Sequence, residues 1–223
     1  MRTHYGWLGL GLFLAATSPA LAENHFYLGP YALIGFTNQN DYSRTPVTAL
    51  PVDGDTDTMG VNGGAGLWGG YDFGAWSLEL SGTYRARHDA NFAFTDITSG
   101  LGLAAKSNVQ TADLLVSTLY DLPVDWAVIP YIGAGAGVAL HHLETELLTA
   151  TTTDAGKNSD WQFAWQLQGG LKYPLSEGTL LRVDYRYIDL GKITTNALPT
   201  ATNDRLSTDL TSHDLRIGMS WEF

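Results

Sequence analysis

The chain ends with Ser212-His-Asp-Leu-Arg-Ile-Gly-Met-Ser-Trp-Glu-Phe223, in which every second residue from Leu215 onward is apolar. Successive side chains of a β-strand point to opposite faces, so this stretch predicts a strand with two unlike faces. The apolar face carries Leu215, Ile217, Met219, Trp221 and Phe223, and the polar face carries Asp214, Arg216, Gly218, Ser220 and Glu222. Such a strand suits a sheet that has lipid on one side and a polar interior on the other.

Further segments carry the same alternation, near residues 25–38, 61–73, 76–87, 110–122, 126–143, 160–173 and 179–190. In the third, Trp76, Leu78, Leu80 and Tyr84 alternate with Ser77, Glu79, Ser81, Thr83 and Arg85. With the C-terminal strand they predict an all-β fold, an eight-stranded antiparallel up-and-down transmembrane β-barrel. In this register Leu80→Arg should be costly on the lipid face, and Thr83→Asn should be mild in the lumen.

The connections between these segments alternate in length. Short turns with Pro, Gly or Asp occupy 72–75, 122–125 and 174–178, and long polar connections occupy 39–60, 88–109, 144–159 and 191–211. Outer-membrane barrels have short periplasmic turns and long extracellular loops, and the alternation predicts both. The aromatic residues near the short turns are expected to form an interfacial girdle: Tyr71, Phe73, Trp76, Tyr120, Trp126, Tyr173, Trp221 and Phe223.

The first 22 residues have the pattern of a secretory signal peptide. Arg2 supplies a positive start, Leu8–Ala16 an apolar run, and Ala20-Leu21-Ala22 a small-residue cleavage site. An uncleaved helical anchor is disfavoured, because a spanning helix needs about 20 apolar residues. We therefore expect a cleaved signal peptide at 1–22 and one barrel domain at 23–223, exported to the outer membrane of a Gram-negative cell.

Composition excludes several classes of function. The chain has 12 basic and 23 acidic residues and a formal net charge of −11, which argues against binding to nucleic acid phosphates. It has no cysteine, which excludes a disulfide scaffold, a thiolate metal site and a cysteine nucleophile. A barrel closed by backbone hydrogen bonds can hold such an exported chain together without disulfides.

Charged residues on the predicted inner faces should pair inside the barrel, because an unpaired buried charge costs several kcal/mol. The predicted network comprises Glu79, Arg85, Asp113, Lys172, Arg182, Asp184, Arg186, Arg216 and Glu222. Inward glycines at 64, 66, 70, 133, 135 and 137 should leave room for the long Arg and Lys side chains. The network could form a narrow pore or a gate, but the narrow lumen of eight strands favours a packed polar plug.

Three other groups of residues have side chains that could carry chemistry. His141-His142 precedes Glu144 and Glu146, but neighbouring side chains on a strand diverge and chelate one ion poorly. The loop Asp53-Gly-Asp-Thr-Asp57 resembles the start of an EF-hand but has Gly64 where a bidentate glutamate is needed. His213-Asp214 could supply two members of a Ser-His-Asp triad, but nothing in the sequence singles out one serine as the third. The sequence therefore predicts no catalytic residue, no metal and no cofactor.

Three stretches resemble the small outer-membrane barrels of the opacity-type and surface-antigen porin family: 131–138 (YIGAGAGV), 181–191 (LRVDYRYIDLG) and 213–223 (HDLRIGMSWEF). The resemblance implies insertion by the barrel assembly machinery, which reads the terminal strand with Trp221 and Phe223. It also implies contact with outer-membrane lipid and lipopolysaccharide, and surface loops that serve adhesion or antigenicity in relatives. Pro30 departs from a regular strand, because proline cannot donate to a ladder, so the register of the first strand stays open.

Three hypotheses for function follow. The first is a structural or surface-interaction protein, adhesin- or antigen-like, whose loops meet an extracellular partner. The alternative is a small porin or carrier for small solutes. The third is an enzyme that modifies lipid A, which is disfavoured because no histidine begins the His-x-Ser motif of the deacylase in that group.

Overall fold

A computed structural model describes residues 24–45, 60–95, 102–148, 153–194 and 205–223. It contains the strands β1 (His25–Thr45), β2 (Gly60–Asp72), β3 (Trp76–Thr95), β4 (Gly102–Asp121), β5 (Ile129–Leu148), β6 (Thr153–Ser176), β7 (Thr179–Thr194) and β8 (Arg205–Glu222). All neighbours are antiparallel and the sheet closes from β1 to β8, which confirms the predicted eight-stranded barrel. No helix among the described residues is long and apolar enough to span a membrane.

The first and last strands close the barrel with a register that is constant from Tyr27 to Asn40. The Phe26 amide donates to the Phe223 carbonyl at 3.1 Å, and the Phe223 amide donates to the Phe26 carbonyl at 2.9 Å. Pro30 leaves this register unchanged, since Leu28 lies opposite Trp221 and Tyr31 opposite Gly218 on either side of it. The β8 backbone approaches closely beside Pro30, and a Cβ on Gly29 would collide with the Met219 carbonyl oxygen.

The two faces of the wall divide as the alternation predicts. Leu80, Phe163 and Ile217 are exposed on the outside by 51%, 67% and 54%. Glu79, Arg186 and Arg216 lie on the inside and are fully buried. The barrel thus presents apolar side chains outward and encloses its charges, which is the reverse of a soluble globular domain.

The strands extend further from the short turns than the alternation predicts. β1 continues to Thr45, β3 continues to Thr95 and β6 begins at Thr153. Three of the ladders change register where the predicted strands end, between Asn40 and Ser43, Arg85 and His88, and Asp189 and Lys192. A bulge adds a residue to one strand and breaks the period of two, so the pattern stops while the hydrogen bonds continue. The intervening connections 46–59, 96–101, 149–152 and 195–204 lie outside the described residues.

The opposite end, called the lower end here, has the short connections. Gly74 and Gly178 have φ values of 100° and 69°, which favour glycine, and the Gly74 amide donates to Asp72 Oδ1 at 2.7 Å. The β4–β5 connection is longer than predicted, because β5 begins at Ile129 and not at Trp126. The Leu122 amide donates to the Pro130 carbonyl at 2.8 Å, and this hydrogen bond joins the two ends of the connection.

Candidate functional site

Eight of the charges inside the described part of the barrel form two four-residue clusters at different heights. The upper cluster, farther from the short turns, consists of Arg85, Asp113, Arg186 and Asp214. The lower cluster consists of Glu79, Arg182, Asp184 and Arg216. Each combines two guanidinium groups with two carboxylates, so the charges balance within each cluster.

Asp214 is the centre of the upper cluster. Arg85 donates to both of its oxygens at 2.9 Å, which is the bidentate geometry that makes such pairs strong. Arg186 approaches the same carboxylate from β7, with Nε at 2.9 Å and Nη2 at 2.7 Å from Oδ2. The Ser212 hydroxyl adds a bond of 2.7 Å to Oδ1. One buried carboxylate therefore holds two arginines from different strands of the barrel.

Asp113 completes the upper cluster through polar neighbours. Thr83 donates to Asp113 Oδ1 at 2.7 Å and lies 2.8 Å from the Tyr31 hydroxyl. Arg186 Nη1 lies 3.3 Å from Thr83 Oγ1 and 3.3 Å from Gln166 Oε1. Because Thr83 is shared by these groups, the mild effect expected of Thr83→Asn stays a prediction, and it requires that the asparagine amide keep the bond to Asp113.

The lower cluster joins four strands through one tyrosine. Arg182 Nη1 donates to Glu79 Oε2 at 2.5 Å, and Arg182 Nη2 lies 3.0 Å from the Tyr131 hydroxyl. That hydroxyl donates to Asp184 Oδ2 at 2.7 Å, and Arg216 Nε donates to Asp184 Oδ1 at 2.5 Å. Arg216 Nη2 also donates to Gln168 Oε1, and Tyr27 donates to Glu79 Oε2 at 2.9 Å.

Aromatic rings fill the space beside the lower cluster. Trp68 is fully buried, stacks on Tyr31 with ring centroids 4.6 Å apart, and lies under the Arg182 guanidinium at 4.0 Å. A Cβ on Gly66 would overlap the Tyr31 ring, and a Cβ on Gly70 would lie 2.6 Å from the Tyr27 hydroxyl. The inward glycines of β2 therefore make room for the β1 tyrosines, and a Cβ on the β5 glycines would meet residues of β4. The prediction that the inward glycines make room for arginines and lysines was wrong at 66, 70, 133, 135 and 137.

Two predicted charges lie outside the clusters, at the lower end. Lys172 Nζ lies 2.7 Å from Asp121, and Glu222 lies 3.1 Å from His25 Nε2. Trp221 and Phe223 lie beside them on the outer face, and the Phe223 ring stacks on Phe26 at 6.5 Å. The predicted inner charges thus form three levels along the axis, two clusters and a lower pair of contacts.

An apolar layer lines one side of the lumen next to the upper cluster, on β4 to β8. Beyond Arg186 and Asp214, the next inward residues of β7 and β8 include Ile188, Leu190 and Leu210. They pack in one fully buried cluster with Leu115, Ala139 and Ala164. Buried His141 completes this level, with Nε2 2.9 Å from the Leu190 carbonyl and Nδ1 3.1 Å from Thr111. This apolar layer therefore lies beside the upper cluster and contributes to the filling of the lumen.

The remaining candidate sites do not assemble around His141. His142 points away from His141 and bonds Ser159 at 2.9 Å, and the side chains of Glu144 and Glu146 lie outside the described residues, as does the loop 53–57. In the described parts of the chain no three His, Cys, Asp or Glu residues come together as a metal site. His213 faces outward from β8, where its Nδ1 bonds the Tyr185 hydroxyl at 2.5 Å.

The sequence prediction of the network missed Asp214, Asp121, Gln168 and the bonded tyrosines. Asp214 carried a usable signal, because it lies two residues from Arg216 and therefore on the same face of β8. Gln168 carried the same signal relative to Lys172. The tyrosines carried no such signal, because the alternation pattern does not distinguish an inward tyrosine that bonds a charged group from one that only packs.

Comparison with known proteins agrees with this architecture. The sequence model of the family described as "Outer membrane protein beta-barrel domain" matches residues 8–223. Outer membrane protein PagN of Salmonella typhimurium is 30% identical over 182 residues, which cover 74% of this chain and 74% of PagN.

Two solved structures share the fold at low identity. Outer membrane protein AlkL, solved in lipid bilayers, superposes with a TM-score of 0.51 at 17% identity and covers 96% of this chain and 97% of its own. Neisserial surface protein A superposes with a TM-score of 0.50 at 16% identity and covers 89% of this chain and 97% of its own.

Proposed function

The chain belongs to the outer-membrane protein β-barrel family, and we propose that it acts there as a structural and surface-interaction protein. In this proposal the lower end of the barrel faces the periplasm, and the extended upper ends of the strands, with the connections 46–59, 96–101, 149–152 and 195–204, face the cell exterior. This upper end forms the interaction surface for an extracellular partner, and the barrel wall contacts lipid and lipopolysaccharide.

The filled lumen is the observation that carries this proposal. Asp214 and Arg186 are fully buried at the centre of the barrel, and so are Ile188 and Leu190 next to them. A solute that crossed the barrel would have to break the bidentate Arg85–Asp214 pair and separate the apolar layer. Since that interior favours closure, the part of the molecule left to meet a partner is its outer surface.

Conductance in planar bilayers tests this against the small-porin alternative. We expect the purified protein to be silent, because charge-balanced clusters and the apolar layer fill the lumen. A matched variant combining Ile188→Ala, Leu190→Ala and Leu210→Ala should show a leak if packing is the reason for the silence. Stepwise conductance of the unmodified protein would instead favour a porin.

Adherence tests the interaction surface directly. Bacteria expressing the chain should adhere to cultured epithelial cells, and replacement of 46–59 and 195–204 by short Gly-Asn turns should abolish the gain. Glu177→Ala in the exposed turn at the other end is the control and should adhere normally. Equal adherence of the loop-replaced and unmodified strains, at equal surface abundance, would refute the proposal.

The terminal residues are proposed as the assembly signal. Trp221 and Phe223 lie on the outer face of the closing strand, where an insertion machinery can reach them before β1 pairs with β8. Deletion of Phe223 should lower the heat-modifiable, folded fraction in the outer membrane, whereas Val124→Ala in a connection at the same end should leave it unchanged.

Mass spectra of lipid A test the enzyme alternative. Spectra from cells with and without the protein should be identical, and a difference would favour an enzyme that modifies lipid A.

A further inference from the structure

The longest strand of the barrel stands beside one of its shortest. β6 has 24 residues and β7 has 16. The ladder between them ends at Trp165 and Asp189, although β6 continues beyond that pair to Thr153. Among the described residues, the upper part of β6 is therefore paired with β5 and not with β7.

β7 turns away from β6 where their ladder ends. The register of β7 against β8 shifts between Asp189 and Lys192, and Gly191 between them has a φ of 80°, which favours glycine. The Gly191 amide donates to Asp189 Oδ1 at 2.9 Å, and this bond holds the bend. Beyond the bend β7 stays paired with β8. The end of the β6–β7 ladder is thus built into the backbone of β7.

The register shows which part of β6 lies beyond the reach of β7. Continuation of the ladder in the same register would place Thr194, the last residue of β7, opposite Asp160. Residues 153–159 of β6 lie above that point, and no described residue pairs with them on this side. On their other side they pair with residues 142–148 of β5. The segment 153–159, called the β6 edge here, is therefore the margin of a sheet.

The sheet behind the β6 edge is four strands wide. Thr153 lies opposite Leu148 of β5, Leu148 lies opposite Ala104 of β4, and Ala104 lies opposite Ala93 of β3. Three or more paired strands hold a sheet together much better than an isolated hairpin does. The β6 edge is therefore supported by a paired wall up to its top.

An edge of this kind can pair with a further strand. In an antiparallel ladder alternate residues direct their N–H and C=O groups to each neighbour, so about half of these groups in the β6 edge face away from β5. Extended peptides add to exposed sheet edges through such groups, and the main-chain hydrogen bonds supply the affinity. The β6 edge thus has the backbone geometry of a strand-addition site.

The sequence at this margin selects the charge of the added strand. The stretch 143–160 includes the paired upper ends of β5 and β6, and its charged residues are Glu144, Glu146, Asp154, Lys157 and Asp160. A second copy of the chain would bring the same acidic excess to the ladder, and like charges on neighbouring strands are destabilising. A strand with Lys or Arg would instead form opposite-charge pairs.

We propose that the β6 edge binds an extended, basic segment of an extracellular protein by strand addition. The inference rests on the proposed function, in which the upper end of the barrel faces the cell exterior and is the interaction surface. It adds to that function the place of contact and the kind of segment that fits it.

Peptide binding to the purified protein in phosphatidylcholine nanodiscs tests strand addition. The probe is a fluorescent nine-residue peptide in which lysine alternates with threonine, and the control is the same peptide with every backbone amide N-methylated. We expect the control to bind at least about tenfold more weakly, because it keeps the charge and loses the main-chain donors.

Three outcomes of this assay would overturn the proposal. Equal affinities of the probe and the N-methylated control would show that charge alone attracts the peptide. Probe binding no stronger than that of empty nanodiscs would show that the edge accepts no such strand. A dimeric protein that does not bind the probe would show that a second copy occupies the edge.

Two matched triple variants locate the site. The first removes three charges beside the β6 edge: Glu144→Gln, Glu146→Gln and Asp154→Asn. The second removes three charges from the connection 46–59: Asp53→Asn, Asp55→Asn and Asp57→Asn. The first should weaken probe binding at least about fivefold, and the second should leave it nearly unchanged, because each charge acts mainly on its near neighbours in salt. Both must show heat-modifiable migration, and equal weakening by the two would place the peptide elsewhere.

The β6 edge and the surface-interaction proposal can fail separately, because the peptide assay uses purified protein and the adherence assay uses cells. Adherence that depends on the upper end, without probe binding, would refute the β6 edge alone. Probe binding that follows the two controls, without any gain in adherence, would support the edge and refute the adhesive role.

Discussion

The upper and lower clusters contain the same charges, two arginines and two carboxylates, and differ in how completely they are bonded. Asp214 accepts from Arg85, Arg186 and Ser212, so the upper cluster ties β3, β7 and β8 together through one carboxylate. Glu79 uses only one of its two oxygens, and Arg182 and Arg216 each keep an unmet nitrogen. The same set of charges is therefore bonded more completely at one height than at the other, depending on the hydroxyl and carboxylate partners nearby.

Removing the shared carboxylate should give the largest effect. Asp214→Asn leaves Arg85 and Arg186 with reduced compensation in a dry interior, and breaking such a buried pair costs about 3–5 kcal/mol. Urea unfolding of the protein in bilayers measures the loss in the free energy of unfolding. Glu79→Gln in the lower cluster should cost less, because Glu79 pairs with one arginine through one oxygen, whereas Asp214 holds two arginines. If the lower variant lost as much as the upper one, the two clusters would be equivalent.

An arginine on the other side of the wall should come next. Leu80 is 51% exposed on the lipid face and next to Glu79 in sequence, yet Leu80→Arg should cost about 2–4 kcal/mol near mid-membrane. The reason is that the lipid face near Leu80 lacks a carboxylate like Glu79, which pairs with Arg182 inside. The same unfolding assay measures it, and Leu80→Met is the control with little expected change. A negligible cost for Leu80→Arg would contradict the assignment of the faces.

Glycine substitutions sharpen the contrast at a smaller scale. Gly66→Ala would place a Cβ in collision with the Tyr31 ring and the Gly82 carbonyl oxygen, and overpacking of this kind costs about 1–3 kcal/mol. The nearest atom to a Cβ on Gly63, on the outer face of the same strand, is 4.0 Å away. Gly63→Ala should therefore be neutral in the unfolding assay, and equal losses would contradict the tight packing of Tyr31.

The smallest effect should come from the exposed pair at the other end of β7. Lys192 Nζ lies 3.9 Å from Asp209, and both side chains are well exposed. Such surface pairs contribute about 0–1 kcal/mol and weaken with salt. Lys192→Ala should therefore change stability little, and less still at high ionic strength. A loss comparable to that of Asp214→Asn would mean that burial does not set the strength of the charges in this barrel.

The sequence predicted the faces of the strands much better than the heights of the residues along them. Alternation alone placed Glu79, Arg182 and Asp184 inside, because it depends only on which side of the wall meets lipid. It could not pair Glu79 with Arg182, because their meeting depends on the tilt and stagger of strands far apart in sequence. Sorting the charges into two clusters and an end pair needed the structure.

The sequence also failed to predict where the strands end and which uncharged residues bond the buried charges. The register changes beside Arg85 and Asp189 ended the alternation before the strands themselves ended. Tyr131 supplies the hydroxyl that joins the lower cluster, yet in the sequence it is one more aromatic residue beside a run of glycines. Prediction of such a partner requires knowing which side chains share a height, and local pattern does not contain that information.

The bonds between Phe26 and Phe223 have a consequence for the order of folding. β1 pairs with β8, so the barrel can close only after the last strand is available. This contact joins residues far apart in sequence, and such contacts form slowly. The same seam brings the two ends of the sheet side by side. A circular permutant that joins Phe223 to Asn24 through a short linker and is cut at Gly178 should keep all eight ladders and start from a different strand.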